Sequence, residues 1–196
     1  MSDIKSALEI AMEKINQLGE PTDEERLSWK HLPDGEKLAG KYLKEEDFNL
    51  LVELGKHSEE IKNYVARGAA AVLIGNISLP RNDVIKKTNK KVMDGLKILK
   101  NDKVSVENVY SQIRQLFTHF AEQGEQQRQQ AYQSLKAQVA GQIQQAVQQQ
   151  GGAVPAQIDV EKQPQFQQEW RRVLTQLDSQ YTTLLSEHKQ ELEKID

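Results

Sequence analysis

The sequence predicts an all-α protein in which an N-terminal bundle of several helices is followed by a long, antiparallel, coiled-coil-like helical hairpin. Three observations lead to this prediction. Apolar residues recur at three- and four-residue steps along most of the chain, no two strand-like segments are available to pair, and one late stretch is rich in glutamine, a good helix former. We therefore expect a bundle over residues 1–104 and a hairpin over 105–196, with its turn near 151–163.

Composition restricts the class of protein. The 196 residues include no cysteine, which excludes disulfides, thiolate zinc sites, iron–sulfur clusters and cysteine catalysis. No apolar run approaches the roughly 20 residues of a membrane span, so we expect no membrane-spanning helix. The N-terminus lacks the basic and apolar regions of a signal peptide and carries Glu9 and Glu13. These features predict a cytoplasmic protein.

The boundary between the two expected domains rests on charge. Residues 1–104 carry 18 basic and 18 acidic side chains, whereas residues 105–196 carry 8 and 11. Within the second part, 13 of the 28 residues from Gln123 to Gln150 are glutamine, and no ionisable side chain lies between Lys136 and Asp159. The shift near Val104 is our candidate boundary.

Short helices are predicted at the N-terminus. The first carries an apolar stripe from Ile4 to Leu18 and ends at Gly19 and Pro21. Thr22 and Glu25 form a capping box that starts a second helix, which the Pro33-Asp34-Gly35 run is expected to end. Two more short helices are predicted around these apolar residues: Leu38, Tyr42 and Leu43, then Phe48, Leu50, Leu51, Val52 and Leu54.

Two longer helices should complete the bundle, over Glu59 to Ile77 and over Asp83 to Lys100. The alternative for Ala71 to Ile77 is a buried strand. We prefer a helix, because a lone strand would leave its backbone groups without hydrogen-bond partners.

The hairpin is predicted from two long apolar stripes. The first begins at a cap on Ser105, lapses between Glu122 and Arg128 around Gly124, and resumes at Tyr132. A helix from Val106 to Gln150 would be about 67 Å long, and its partner from Pro164 to Lys194 about 46 Å. The shorter helix is expected to cover only the last thirty residues of the longer one, which leaves residues 106–117 to dock on the bundle.

The aromatic residues of this hairpin are our candidates for a protein interface. Two helices alone should leave Phe166, Trp170 and Tyr181 partly exposed, and Tyr132 is the fourth candidate. The leading functional hypothesis is therefore a non-enzymatic interaction or scaffold protein, whose glutamine-rich hairpin binds a protein partner or a second copy of the chain.

A basic helix suggests an alternative function. Residues 81–103 carry eight basic and three acidic side chains, and Lys86, Lys90, Lys97 and Lys100 share the face opposite the apolar stripe. Such a face could bind the phosphates of nucleic acid or of an anionic membrane. A solvated amphipathic helix explains the same residues, and no aromatic residue in the segment could stack on bases.

Histidines raise a third possibility, a helical metalloenzyme. Each histidine is followed three residues later by an acid, as in His31 with Asp34, His57 with Glu60, His119 with Glu122 and His188 with Glu191. Helical di-metal sites normally place the acid before the histidine, so solvent-facing charge pairs are the simpler interpretation. We find no catalytic set and no phosphate-binding loop, and we expect no cofactor or metal.

Two stretches of the chain can be compared with known sequences. The first is Leu79-Pro80-Arg81-Asn82-Asp83, and the second is Phe166-Gln167-Gln168-Glu169-Trp170-Arg171-Arg172 with Leu174, Leu177-Asp178 and Gln180-Tyr181. They resemble segments of a bacterial family of small helical proteins of unknown function. The resemblance implies an all-helical bacterial cytoplasmic protein, and it brings no activity or site residue to transfer.

Overall fold

The computed structural model describes residues 21–149 and 159–196, and over these ranges the chain forms helices and no strands. The all-α prediction is confirmed. The α-helices are α1 (Asp23–Lys44), α2 (Leu50–Leu54), α3 (Glu59–Asn76), α4 (Asp83–Leu99), α5 (Lys103–Gln149) and α6 (Pro164–Lys194), with a 3-10 turn at Val160–Lys162. The helix expected over residues 4–18 and most of the turn near 151–163 lie outside the described residues.

The described residues fall into two compact units, with the division between Leu73 and Ile74. The division falls inside α3, whereas the composition shifts near Val104. Val104 itself lies at the start of α5, inside the second unit, and α4 belongs to that same unit. Charge composition and packing therefore divide this chain at different places.

In the first unit, α1 replaces the two short helices predicted on either side of Pro33. The capping box at its start is confirmed, since Thr22 Oγ1 accepts from the Glu25 backbone N–H at 3.2 Å and the Glu25 carboxylate accepts from the Thr22 N–H at 2.8 Å. The helix then continues through Pro33 and Gly35. Our expectation that this run ends the helix is wrong, because Gly35 serves packing rather than a turn.

Glycines allow α1 and α3 to cross at backbone contact. A Cβ atom at Gly35 would lie 2.0 Å from the carbonyl oxygen of Val65, and one at Gly68 would lie 2.2 Å from the carbonyl oxygen of Leu32. Real side chains cannot approach so closely, so each glycine is needed for its close approach. Leu38, Ala39, Val65 and Ala69 are buried in this unit.

In the second unit, the segment between α3 and α4 is fastened by a buried side chain. Asn89, which is only 3% exposed, donates to the Ser78 carbonyl at 2.6 Å and accepts from the Ser78 N–H at 3.0 Å. Asn82 caps α4 by accepting from the Ile85 N–H at 2.9 Å. The connecting segment thus has a fixed path without being helical or extended in a sheet.

The start of α5 differs from the prediction in its cap. Asp102, rather than Ser105, accepts the free N–H groups, at 3.1 Å from Val104 and 3.0 Å from Ser105. The Ser105 hydroxyl itself donates to Asp102. Further along, the Tyr110 hydroxyl donates to the Met93 carbonyl at 2.8 Å, so this end of α5 packs on α4.

α6 runs antiparallel to α5, but in a different register from the one predicted. Its first turn lies beside Gln142, with Gln165 Nε2 3.2 Å from Gln142 Oε1, and the chain beyond its last turn reaches Asn101, whose N–H donates to the Asp196 carbonyl at 2.8 Å. α6 therefore covers the first forty or so residues of α5 instead of the last thirty. The apolar stripes of α5 and α6 have the same helical period and would fit many registers. Polar contacts such as those of Gln165 and Asp196 favour this one.

No helix within residues 21–149 and 159–196 combines the length and the apolar character needed to cross a membrane.

The glycine crossing gives a testable expectation for stability. Replacement Gly35→Ala should lower the free energy of unfolding by about 3 kcal/mol, because the added methyl group must push two helix backbones apart. Gly40→Ala, on the same helix with nothing within 4 Å of its added Cβ, should instead raise stability by about 0.5–1 kcal/mol. Equilibrium urea unfolding measures both. Equal effects of the two replacements would contradict the crossing.

Candidate functional site

A buried carboxylate joins three segments of the second unit. Asp178 of α6 is 6% exposed, with its Oδ2 at 2.8 Å from Arg81 Nη2 and its Oδ1 at 3.4 Å from Arg128 Nη1. Arg81 lies between α3 and α4, and Arg128 lies on α5. We call these three residues the clasp. Since both carboxylate oxygens are held by guanidinium groups, the clasp can fix the helices in register.

Arg128 is the more deeply placed arginine of the clasp. Its side chain is 15% exposed, against 59% for Arg81. Its guanidinium lies 4.4 Å from the centre of the Phe120 ring and donates to the Phe120 carbonyl at 3.3 Å. It also pairs with Glu125 at 3.0 Å, and this hydrogen bond, assisted by one from Gln129, lowers the pKa of Glu125.

Beside the clasp, Tyr181 fills the space that Gly124 leaves on α5. A Cβ at Gly124 would lie 3.3 Å from the Tyr181 hydroxyl and 3.1 Å from Arg128 Nη1. The Tyr181 hydroxyl lies 3.0 Å from His119 Nδ1, and its ring meets Phe120 edge to face at 5.2 Å. The lapse in the apolar stripe between residues 122 and 128 is thus where polar groups and a buried tyrosine replace aliphatic packing.

A second aromatic cluster lies at the glutamine-rich end. The Tyr132 ring meets Phe166 at 5.4 Å and Trp170 at 5.1 Å, both edge to face. A hydrogen bond with the Glu161 carboxylate raises the pKa of Tyr132, and Glu161 also pairs with Lys136 at 2.6 Å. These contacts hold the 3-10 turn and the first turns of α6 against α5.

An open groove of about 820 Å³ lies beside this cluster. One aromatic pair and five polar residues of α5 line it: Tyr132 and Trp170, with Glu125, Arg128, Gln129, Gln130 and Gln133. We call it the glutamine groove.

The four aromatic candidates are not equally accessible. Phe166 and Tyr181 are 3% and 7% exposed, so the expectation that two helices leave them partly exposed is wrong for both. Each side chain is buried because of the register in which α6 packs on α5. Tyr132 and Trp170 are half-buried and line the glutamine groove, so they are the two candidates that a partner could reach.

The four lysine candidates do not share one solvated face. Lys100 is 8% exposed and its ammonium donates to the Ile195 carbonyl, which corrects the prediction that it faces solvent. Lys97 pairs with Glu107 at 2.7 Å, and this hydrogen bond, with one from Arg114, lowers the pKa of Glu107. Lys86 pairs with Asp83 at 3.0 Å, and Lys90 is exposed.

The histidine pairs are brought together only in part. His31 lies 3.3 Å from Asp34, and His188 Nδ1 lies 3.6 Å from Glu191. His119 contacts Tyr181 as described above. Over residues 21–149 and 159–196, no three metal-ligating side chains gather into a group.

Residues 51–194 match the sequence profile of a family of unknown function, DUF6657. The chain belongs to this family. The part that matches DUF6657 begins within α2 and contains all three clasp residues, while α1 lies outside it. No curated protein and no solved structure matches the chain.

The clasp was missed by sequence reasoning, although signals for it were present. Arg81 and Asp178 both lie in the two stretches that resemble a helical family, and Arg128 lies at the end of the lapse in the α5 stripe. What one sequence lacks is the register that brings the three together, since Arg81 and Asp178 are far apart along the chain.

The clasp predicts an unequal response to loss of its members. Asp178→Asn should lower the free energy of unfolding by about 3 kcal/mol, because it leaves the charge of Arg128 buried with a weakened partner set. Arg81→Ala should cost less than about 1 kcal/mol, because that arginine is largely exposed. Urea unfolding of the two variants measures the difference. An equally small effect of both would show that Asp178 does not hold the hairpin.

Proposed function

We propose that this protein is a non-enzymatic interaction protein that associates through the glutamine groove of its helical hairpin. The observation that carries the proposal is the groove itself, where a half-buried tryptophan is bordered by glutamines on a helix surface. Tryptophan in a partly desolvated position is typical of residues that dominate binding energy at protein interfaces. A cytoplasmic location and a bacterial source, implied by the earlier resemblance, belong to the same proposal.

A second copy of the chain is the occupant that the groove's chemistry favours. A glutamine amide both donates and accepts hydrogen bonds, so a face of glutamines is complementary to an identical face. Two copies related by a two-fold axis would present such identical faces to each other. Gln130 and Gln133 are exposed and have no hydrogen-bond partner among the described residues. Their amides can therefore bond across an interface without breaking bonds within the chain.

Charge also favours self-association at this end of the hairpin. Of the seven residues that line the groove, only Glu125 and Arg128 are charged, so two copies meeting there would bring few like charges together. The groove itself contains one acid and one base, Glu125 and Arg128, which pair with each other. The lining of the groove therefore brings no net charge to the interface.

The alternative of phosphate binding through α4 has weaker support. Lys100 is buried, and Lys86 and Lys97 are paired with acids. Salt-dependent binding to DNA, RNA or anionic vesicles, lost when Lys86 and Lys90 are replaced by glutamate, would favour that alternative over the one proposed here.

Sedimentation equilibrium of the full chain tests the proposal. We expect concentration-dependent association that weakens by at least about tenfold in Trp170→Ala, because truncating a central tryptophan removes an interface anchor. Trp29→Ala makes the same chemical change at a tryptophan that is 65% exposed on α1, and it should leave association unchanged. A strict monomer would overturn the proposal.

A second pair of variants distinguishes loss of the interface from loss of folding in Trp170→Ala. Gln130→Glu combined with Gln133→Glu adds two like charges to each groove and should weaken association without touching the aromatic cluster. Gln112→Glu combined with Gln115→Glu is the matched control, since both glutamines are exposed on α5 at the same spacing. If both pairs weaken association equally, the groove is not the interface.

A further inference from the structure

A second cleft, unconnected with the proposed interface function, lies entirely within the second unit. It has a volume of about 480 Å³ and is lined by the segment from Ile77 to Arg81, by Ile85 of α4, and by α6 between Thr182 and Lys189. This volume falls within the range of about 300–1,000 Å³ that is typical of small-molecule sites.

The apolar part of the cleft is aliphatic. Ile77, Leu79 and Leu185 are 0%, 6% and 5% exposed, and Ile85 is half-buried. No aromatic side chain lines the cleft, so its floor suits a flexible aliphatic chain better than a stacked ring. A cleft of about 480 Å³ would accept a chain of a few carbon atoms.

The charged part of the cleft is entirely cationic. Arg81 and Lys189 line it, and no acidic side chain does. Arg81 uses Nη2 on Asp178, and a guanidinium has further N–H donors to offer. Lys189 donates to the Gly75 carbonyl at 3.0 Å, a neutral partner. Burial lowers the pKa of Lys189, against the charge of Glu193, so this ammonium has lost part of its water and would gain from an anion.

Hydroxyl groups complete the lining. Ser78 and Ser186 have no side-chain hydrogen-bond partner among the described residues, whereas the Thr182 hydroxyl donates to the Asp178 carbonyl at 2.9 Å. The two bonds from Asn89 hold the backbone of Ser78 in place. The wall is therefore formed before any ligand arrives, which lowers the entropic cost of binding.

We propose that this cleft binds a small amphiphilic anion, a carboxylate or phosphate monoester on a short aliphatic chain. Its head group lies against Arg81 and Lys189, and its chain lies on the aliphatic floor. The positive charges of Arg81 and Lys189 disfavour a divalent cation. A neutral apolar molecule would leave the ammonium of Lys189 with the Gly75 carbonyl as its partner.

Isothermal titration calorimetry on the full chain tests this proposal with defined probes. Hexanoate and hexyl phosphate should bind with a Kd of about 1 mM, as befits ligands of so few atoms. Hexan-1-ol, which lacks the charge, and acetate and inorganic phosphate, which lack the chain, should each bind at least about tenfold more weakly. The hexyl anion that binds with the lower Kd shows which head-group chemistry the cleft prefers. Absence of saturable binding by either would overturn the proposal.

Variants locate the binding in the cleft. Lys189→Gln should weaken both hexyl anions by at least about tenfold while leaving hexan-1-ol unchanged, because it removes the charge but keeps a donor for Gly75. Ser186→Phe should block all three hexyl compounds by filling the cleft from an exposed position. Lys194→Gln, on the same helix outside the cleft, is the control. If Lys189→Gln and Ser186→Phe fold and bind as well as Lys194→Gln does, the anions bind elsewhere and the proposal fails.

Discussion

The second unit depends on one shared carboxylate. Asp178 is buried at the centre of α6 and is neutralised from two sides, by Arg128 on α5 and by Arg81 on the segment before α4. A charge at that depth is tolerated only where its partners are in place, and a shift of α6 by even one turn would separate them. Apolar stripes on the two long helices supply most of the attraction, but stripes of equal period can slide past each other. The ion pairs are what makes one alignment better than its neighbours.

Helix content was predictable from the sequence because it follows from local patterns. The capping box at Thr22 and the stripes on α3 to α6 each involve residues within a few positions of one another, and all of them form helices. Pro33 shows the limit of such reasoning. Its missing N–H removes one hydrogen bond from α1, yet the helix continues, because the glycine two residues later packs against the backbone of α3. The packing partner is far away along the chain, so the sequence around Pro33 does not reveal it.

The functional surfaces were less predictable, because exposure depends on partners that a helical wheel does not include. The wheel of α4 places Lys100 with the solvent-facing lysines, yet the end of α6 covers it. Tyr181 was expected at a surface and instead lies over Gly124, whose missing side chain makes room for it. Tyr132 and Trp170 remain half-buried and line the glutamine groove. Each outcome depends on the register of α6, which periodicity leaves undetermined.

The register also determines when this unit can fold during synthesis. The ammonium of Lys100 meets the carbonyl of Ile195, 95 positions away, and the N–H groups of Asn101 and Asp102 meet Asp196. The apolar stripe at the start of α5 is therefore left without its cover until α6 has emerged from the ribosome. Contacts so distant along the chain slow folding and lengthen the time during which a nascent chain can aggregate. The glutamine-rich second half of α5 adds little apolar surface to a chain at this stage, and a polar stretch of this kind lowers its tendency to aggregate.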